Sequence, residues 1–134
     1  METNYISRDT YGMYKNVGPG PGPALMGADT LIGNDVYNTA NESLGTIKEL
    51  MIEMSSGKIS YAVLSFGGFL GMGESYNPVP WRSLTYDVNL GGYVIDTDRS
   101  RLESAPRYTT SDQPNWSDRA YTERVDDYWH VGRV

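Results

Sequence analysis

At 134 residues the chain has room for one domain, and its 39% hydrophobic and 12% aromatic content is ordinary for a globular protein. A net charge of −6 repels phosphate backbones and anionic bilayers, which argues against nucleic acid and membrane surfaces as partners. With no cysteine, disulfides, zinc–thiolate sites and cysteine nucleophiles are excluded.

No run of about 18 apolar residues is present, so membrane insertion is not expected. The N-terminus lacks a basic stretch followed by an apolar one, so no signal peptide is expected and the cytoplasm is the default compartment. The sequons Asn41-Glu-Ser43 and Asn115-Trp-Ser117 then read as chance matches.

In chain order, residues 1–28 read as a flexible N-terminal arm. Its Gly18-Pro-Gly-Pro-Gly-Pro23 sustains neither helix nor ladder and favours extended, polyproline-like geometry. The arm is either a solvated tail or a docking segment using Tyr5, Tyr11 and Tyr14. The folded part begins at Leu31-Ile-Gly33. Residues 35–38 predict a short strand and residues 39–42 a turn. Residues 44–54 predict a long strand with Ile47, Leu50, Ile52 and Met54 inward and Lys48, Glu49 and Glu53 outward. Its broken alternation near Ile47-Lys-Glu-Leu50 admits a β-bulge. Ser55-Ser-Gly-Lys58 turns the chain into an antiparallel strand over residues 59–66.

That second strand is apolar on both faces, with Ile59, Tyr61 and Val63 on one and Ala62, Leu64 and Phe66 on the other. Both faces must therefore be covered. One is the core; the other must meet a helix, an arm or a second subunit. The run continues into Gly67-Gly-Phe-Leu-Gly-Met-Gly73, which lacks the Gly-Lys-Ser/Thr ending of a phosphate loop. Its Phe69, Leu70 and Met72 form either a contact site or a lid folded over a barrel mouth. Residues 75–81, with Pro78 and Pro80, predict an edge or bulged strand. Residues 84–87 and 93–95 predict a closing hairpin around Gly91-Gly92. Asp98 caps a short helix stopped by Pro106. Residues 117–129 predict an amphipathic helix with Ser117 as N-cap and Tyr121, Val125 and Tyr128/Trp129 as its apolar stripe.

Residues suited to covalent chemistry are scarce. The one histidine, His130, stands four residues from the end, a poor place for a rigidly held imidazole. Asp87-Val-Asn-Leu-Gly-Gly begins like a calcium loop but lacks its closing bidentate glutamate, and Asp96-Thr-Asp98 lacks the turn glycine. Both read as turn and cap residues. Catalysis would need a carboxylate pair such as Glu74 with Asp87, and nothing in the sequence brings them together. No metal, cofactor or catalytic residue is expected.

Leu31-Ile-Gly-Asn-Asp-Val-Tyr-Asn38, Glu42-Ser-Leu-Gly-Thr-Ile-Lys-Glu-Leu-Met-Ile52, the run from Ser56 to Gly73 and Val79-Pro-Trp-Arg-Ser-Leu84 resemble the PRC-barrel family. That family is named for the cytoplasmic domain of the photosynthetic reaction centre H subunit and includes a domain of a ribosome-maturation factor. The resemblance spans about residues 29–105 and leaves 106–134 as a C-terminal extension. It implies a mainly β fold: a small, strongly bent antiparallel β-barrel, followed here by a short helix and the C-terminal amphipathic helix. It also implies assembly or docking rather than catalysis, and the chain is similar to the stand-alone bacterial members of the family, whose individual roles are largely unassigned. Phe66, Phe69, Leu70 and Trp81 match its motif without a generally assigned role.

The expected function is a non-enzymatic protein–protein interaction module. It would form a homodimer, or dock another protein, through Tyr61, Val63, Phe66, Phe69, Leu70, Met72 and Trp81. An interface burying about 800 Å² per partner would add several kcal/mol to a small core. The alternative is a small-molecule or ion-binding protein whose barrel mouth is lined by Tyr76, Trp81 and Tyr93.

Overall fold

The structure is a computed structural model describing residues 26–67, 74–87, 90, 92–109 and 111–129. A short helix α1 (Ala28–Leu31) leads into six strands: β1 (Asp35–Tyr37), β2 (Ser43–Glu53), β3 (Lys58–Gly67), β4 (Glu74–Pro80), β5 (Leu84–Asp87) and β6 (Gly92–Ile95). A 3₁₀ turn (Trp81–Ser83) joins β4 to β5, and helices α2 (Arg99–Glu103) and α3 (Arg119–Tyr128) follow. Helix α1 was not foreseen: its four residues are too few to carry a periodic signal.

The strands form one sheet in the order β4-β3-β2-β1-β6-β5. Its ladders are antiparallel, as expected, except between β1 and β6, which run parallel through Val36↔Tyr93 and Tyr37↔Val94. The β5–β6 hairpin is thus carried past the sheet and laid against β1. The sheet curls as a half-barrel with β4 and β5 at its two ends, unpaired with each other among the described residues. Strand β4 is an edge strand, as its prolines require: Pro78 and Pro80 pair with Val63 and Tyr61 on one side only.

Strand β2 carries the bend. Register shifts occur between Val36 and Tyr37 on its β1 side, and at Ile47/Glu49 and Met51/Ile52 on its β3 side. Each bulge adds a residue to one strand and increases its twist. The buried residues of β2 are consequently Leu44, Ile47 and Leu50, three apart instead of two. The expected inward positions Ile47 and Leu50 are correct; Ile52 and Met54 are not. They are 44% and 88% exposed. The β4 ladder ends at Tyr61↔Pro80 and the β1 ladder reaches only Thr46, so among the described residues no third strand covers the tip of the β2–β3 hairpin.

The core is lined by Val36, Leu44, Ile47, Leu64, Val79 and Ile95 from the sheet, closed by Leu102 of α2 and by Tyr121 and Val125 of α3. Asp98 caps α2 as expected, accepting from the Arg101 amide at 2.7 Å and the Ser100 hydroxyl at 2.8 Å. Helix α3 starts one residue later than expected. Its cap is Asp118, which accepts from the Ala120 amide at 3.0 Å, while the Ser117 amide is taken by the Asn115 side chain. Tyr121 and Val125 of the apolar stripe are buried, Trp129 at the helix end is buried, and Tyr128 is half-buried. Arg101 ties the two helices together, donating to the Tyr128 carbonyl while the Tyr128 hydroxyl donates to the Arg101 carbonyl. Its guanidinium lies 4.9 Å from the Tyr128 ring centre.

Candidate functional site

Directly opposed residues of an antiparallel pair share a face, and neighbours along a strand alternate. On β3 and β4, Ala62↔Val79 and Leu64↔Asn77 therefore face the core, and Tyr61↔Pro80, Val63↔Pro78 and Ser65↔Tyr76 face outward. Asn77 is fully buried and reaches toward the Leu102 carbonyl at 3.3 Å, which fixes the turn after α2 against the sheet. From there the chain crosses the edge of β4. Tyr108 pairs with Tyr76 through reciprocal backbone hydrogen bonds of 2.9 Å, an isolated bridge on the edge that β3 leaves open.

Beyond this bridge the outward face is covered by aromatic side chains. The Tyr76 and Tyr108 rings lie 5.5 Å apart, Tyr108 and Trp116 6.3 Å, and Trp116 and Tyr121 5.5 Å. Trp116 also lies 5.8 Å from Tyr61, whose hydroxyl donates to Asp126 of α3 at 2.9 Å. Such tilted and edge-on pairs add about 1 kcal/mol each beyond their burial. Burial raises the Tyr108 hydroxyl above its ordinary pKa, with Glu49 and Tyr76 adding to the effect. It pushes Tyr121 up to about 12, with Tyr108 adding to this and Arg124 opposing it.

The second apolar face of β3 is therefore covered by the chain's own C-terminal segment. Val63 has no exposed surface: Tyr61 and Tyr76 flank it, and rings of the C-terminal segment lie against both. The cover is Tyr108 and Trp116 in the approach to the helix, against Tyr76 and Tyr61. The identity of that cover was not legible, because Tyr108 and Trp116 sit in an irregular stretch without periodicity.

Between the projecting hairpin and α3 lies an open cleft of about 1120 Å³. Tyr61 and Pro80 line it together with the half-buried Trp81 and Trp116. Glu53, Lys58, Arg82 and Asp126 also line it, two anions against two cations. The cleft brings together Tyr61 and Trp81 of the expected contact residues. Phe69, Leu70 and Met72 lie outside the described residues, as does His130, and of Phe66 only its backbone place in β3 is described.

The expected aromatic mouth is divided. Trp81 and Tyr93 do meet, with ring centres 5.2 Å apart, and Tyr86 joins them at 5.1 Å from Tyr93. Tyr76 is instead on the outward face against Tyr108. Burial raises the Tyr93 hydroxyl above its ordinary pKa. Glu74 opens β4 and Asp87 closes β5, at opposite ends of the strand order. Asp87 accepts from the Leu90 amide at 3.3 Å, as a turn residue. Among the described residues no group of three or more His, Asp or Glu side chains is placed to hold a metal ion, and no helix is long and apolar enough to cross a membrane.

The family model of the PRC-barrel domain matches residues 24–102, more than half of the chain. The chain belongs to the PRC-barrel family. The match ends at Leu102, so Tyr108, Trp116 and α3 lie beyond the matched stretch. A search of curated proteins found no match. Among solved structures, the chain is similar to a protein described as the 16S ribosomal RNA processing protein RimM of Pseudomonas aeruginosa, with 19% identity and a TM-score of 0.35. That likeness covers 52% of this chain and 42% of the other, so the chain spans less than half of that protein's length.

Proposed function

We propose that this PRC-barrel protein is a non-enzymatic interaction module that binds another polypeptide through the tip of the β2–β3 hairpin and the aromatic cleft beside it. The observation that carries this reading is the exposure of Ile52 and Met54 on a hairpin end that no third strand covers among the described residues. Large apolar side chains grouped at a surface mark contact sites, and methionine adapts to varied partners. The partner put first is a second copy of this chain, with Phe69, Leu70 and Met72 of the 67–73 stretch as further contacts. In this reading the arm of residues 1–28 and the extension of residues 106–134 flank a barrel of residues 29–105. The extension serves as the built-in cover of one sheet face.

A polypeptide is favoured over a small molecule for a specific reason. The cleft exceeds the ~300–1,000 Å³ usual for pockets that enclose small ligands, and the aromatic mouth that would have held one is split between two faces.

Sedimentation velocity of the full chain tests the proposal. The wild type is expected to dimerise at micromolar concentration, and Ile52→Glu with Met54→Glu to sediment as a folded monomer. Because both side chains are exposed, the double substitution should leave folding stability within about 0.5 kcal/mol. A wild type that is monomeric throughout overturns self-association. An unchanged dimer in the variant overturns the hairpin tip as its contact.

A further inference from the structure

The lining of the cleft includes two tryptophans, a tyrosine and a proline, and its four charged residues cancel. Aromatic side chains around a groove without net charge are the chemistry that recognises a polyproline-type segment. Such a segment is already extended, so it loses little entropy on docking, and its rings stack on aromatic faces. The chain itself carries one: Gly18-Pro-Gly-Pro-Gly-Pro23 has three prolines and no charge.

We propose that this Gly-Pro segment of the same protomer is the occupant of the Trp81–Trp116 cleft, an inference that rests on reading the cleft as a docking surface. Position supports the assignment. Twenty-five residues precede Met26, and Met26 packs against the core, which anchors the arm to the domain. Gly18 stands eight residues before Met26, a tether of at most ~28 Å. A domain of about 100 residues has a radius of gyration near 13 Å, so such a tether reaches across most of it. Charge supports it too: a segment without charge meets a cleft without net charge, where an acidic or basic peptide would leave one of the lining pairs opposed. The partner polypeptide of the proposed function then meets the hairpin tip together with the arm seated in the cleft beside it.

The three tryptophans make the test direct. The full chain is labelled with 5-fluorotryptophan, and its fluorine resonances are assigned by single Trp→Phe variants. Substitution of Pro19, Pro21 and Pro23 by alanine is expected to shift the Trp81 and Trp116 signals and leave Trp129, which lies in the core, unmoved. The circular dichroism should not change, and the shifts should be the same at high and low protein concentration. Unmoved Trp81 and Trp116 signals overturn the proposal. So do shifts that vanish on dilution of the unsubstituted chain, which reassign the cleft to the arm of a second copy. So does a response of the two signals to an added proline-rich peptide but not to the substitutions, which reassigns it to another protein. If the signals ignore the prolines while the hairpin tip still governs dimerisation, this inference falls and the docking reading stands.

Discussion

Gly92 sits where β6 passes against β1, and a Cβ built there would come within 2.5 Å of the Asp35 carbonyl oxygen and 3.2 Å of the Tyr37 ring. The obstacle is backbone, so the parallel ladder itself must shift. Gly92→Ala is expected to cost about 2 kcal/mol or more, read as a lowered urea midpoint. Gly57, in the hairpin turn, has open space around it but a φ of +77°. Gly57→Ala strains only the backbone and should cost about 1 kcal/mol. Tyr121 supplies a different test. Its buried hydroxyl finds no hydrogen-bond partner among the described residues. Tyr121→Phe should therefore be no less stable at neutral pH, since no bond is lost. The native fold holds this tyrosine neutral, with its pKa raised from 10.0 to about 12. Its contribution is intact below the unfolded-state value and is lost as pH rises through the folded one. Stability should fall between pH 10 and pH 12, and less steeply in Tyr121→Phe. Asp98 has the opposite sign. The Arg101 amide, then the Ser100 hydroxyl, hold its carboxylate below the ordinary 3.8. Its cap is present above that value and is lost as pH falls through the lowered one. Asp98→Asn, which caps without titrating, should remove this part of the acid transition.

At the scale of elements, the departures from simple patterning have one cause. A strand with period two buries alternate residues only while its ladder is regular. The bulges in β2 convert this into burial at Leu44, Ile47 and Leu50, and the hairpin then outruns its neighbours. Helix α3 is the element most dependent on packing, because ten residues are too short for a stable helix alone. Val125 is fully buried at its centre. Val125→Ala should cost about 2 kcal/mol in denaturant unfolding. Trp116 holds the approach to α3 on the sheet through rings of Tyr61, Tyr108 and Tyr121. Trp116→Ala should raise amide hydrogen exchange in β4, whose outer edge loses its cover, before it is felt in β1. Equal exchange in both strands would show that the aromatic chain is not what holds the segment.

Among the described residues the molecule is a curled sheet whose core face is closed by helices and whose outer face at β3 and β4 is covered by the approach to α3. This changes what an apolar strand signifies. The two-sided β3 does not by itself require a second subunit, because the C-terminal segment already covers its outer face. What remains open is smaller and lies at one end, where Ile52 and Met54 project beside the cleft. Association through such a patch depends on a few apolar anchors rather than on total area. The hairpin-tip substitutions should therefore act on association without acting on folding.

The amino-acid sequence alone determined the order and type of most elements. It marked the bulge near Lys48, the edge position of the proline strand, the Asp98 cap and the apolar stripe of α3, because each rests on local geometry: alternation, fixed φ, caps and turns. It also carried the motif of the PRC-barrel family. Tertiary structure decided the rest. That β6 lies parallel to β1, that Tyr76 leaves the mouth for Tyr108, and that Trp116 roofs the face around Val63 are contacts between residues far apart in the chain. No local pattern encodes which distant side chain will cover an apolar face. Only the closed geometry of the sheet and its crossing segment settles that, and with it which apolar residues are left for a partner.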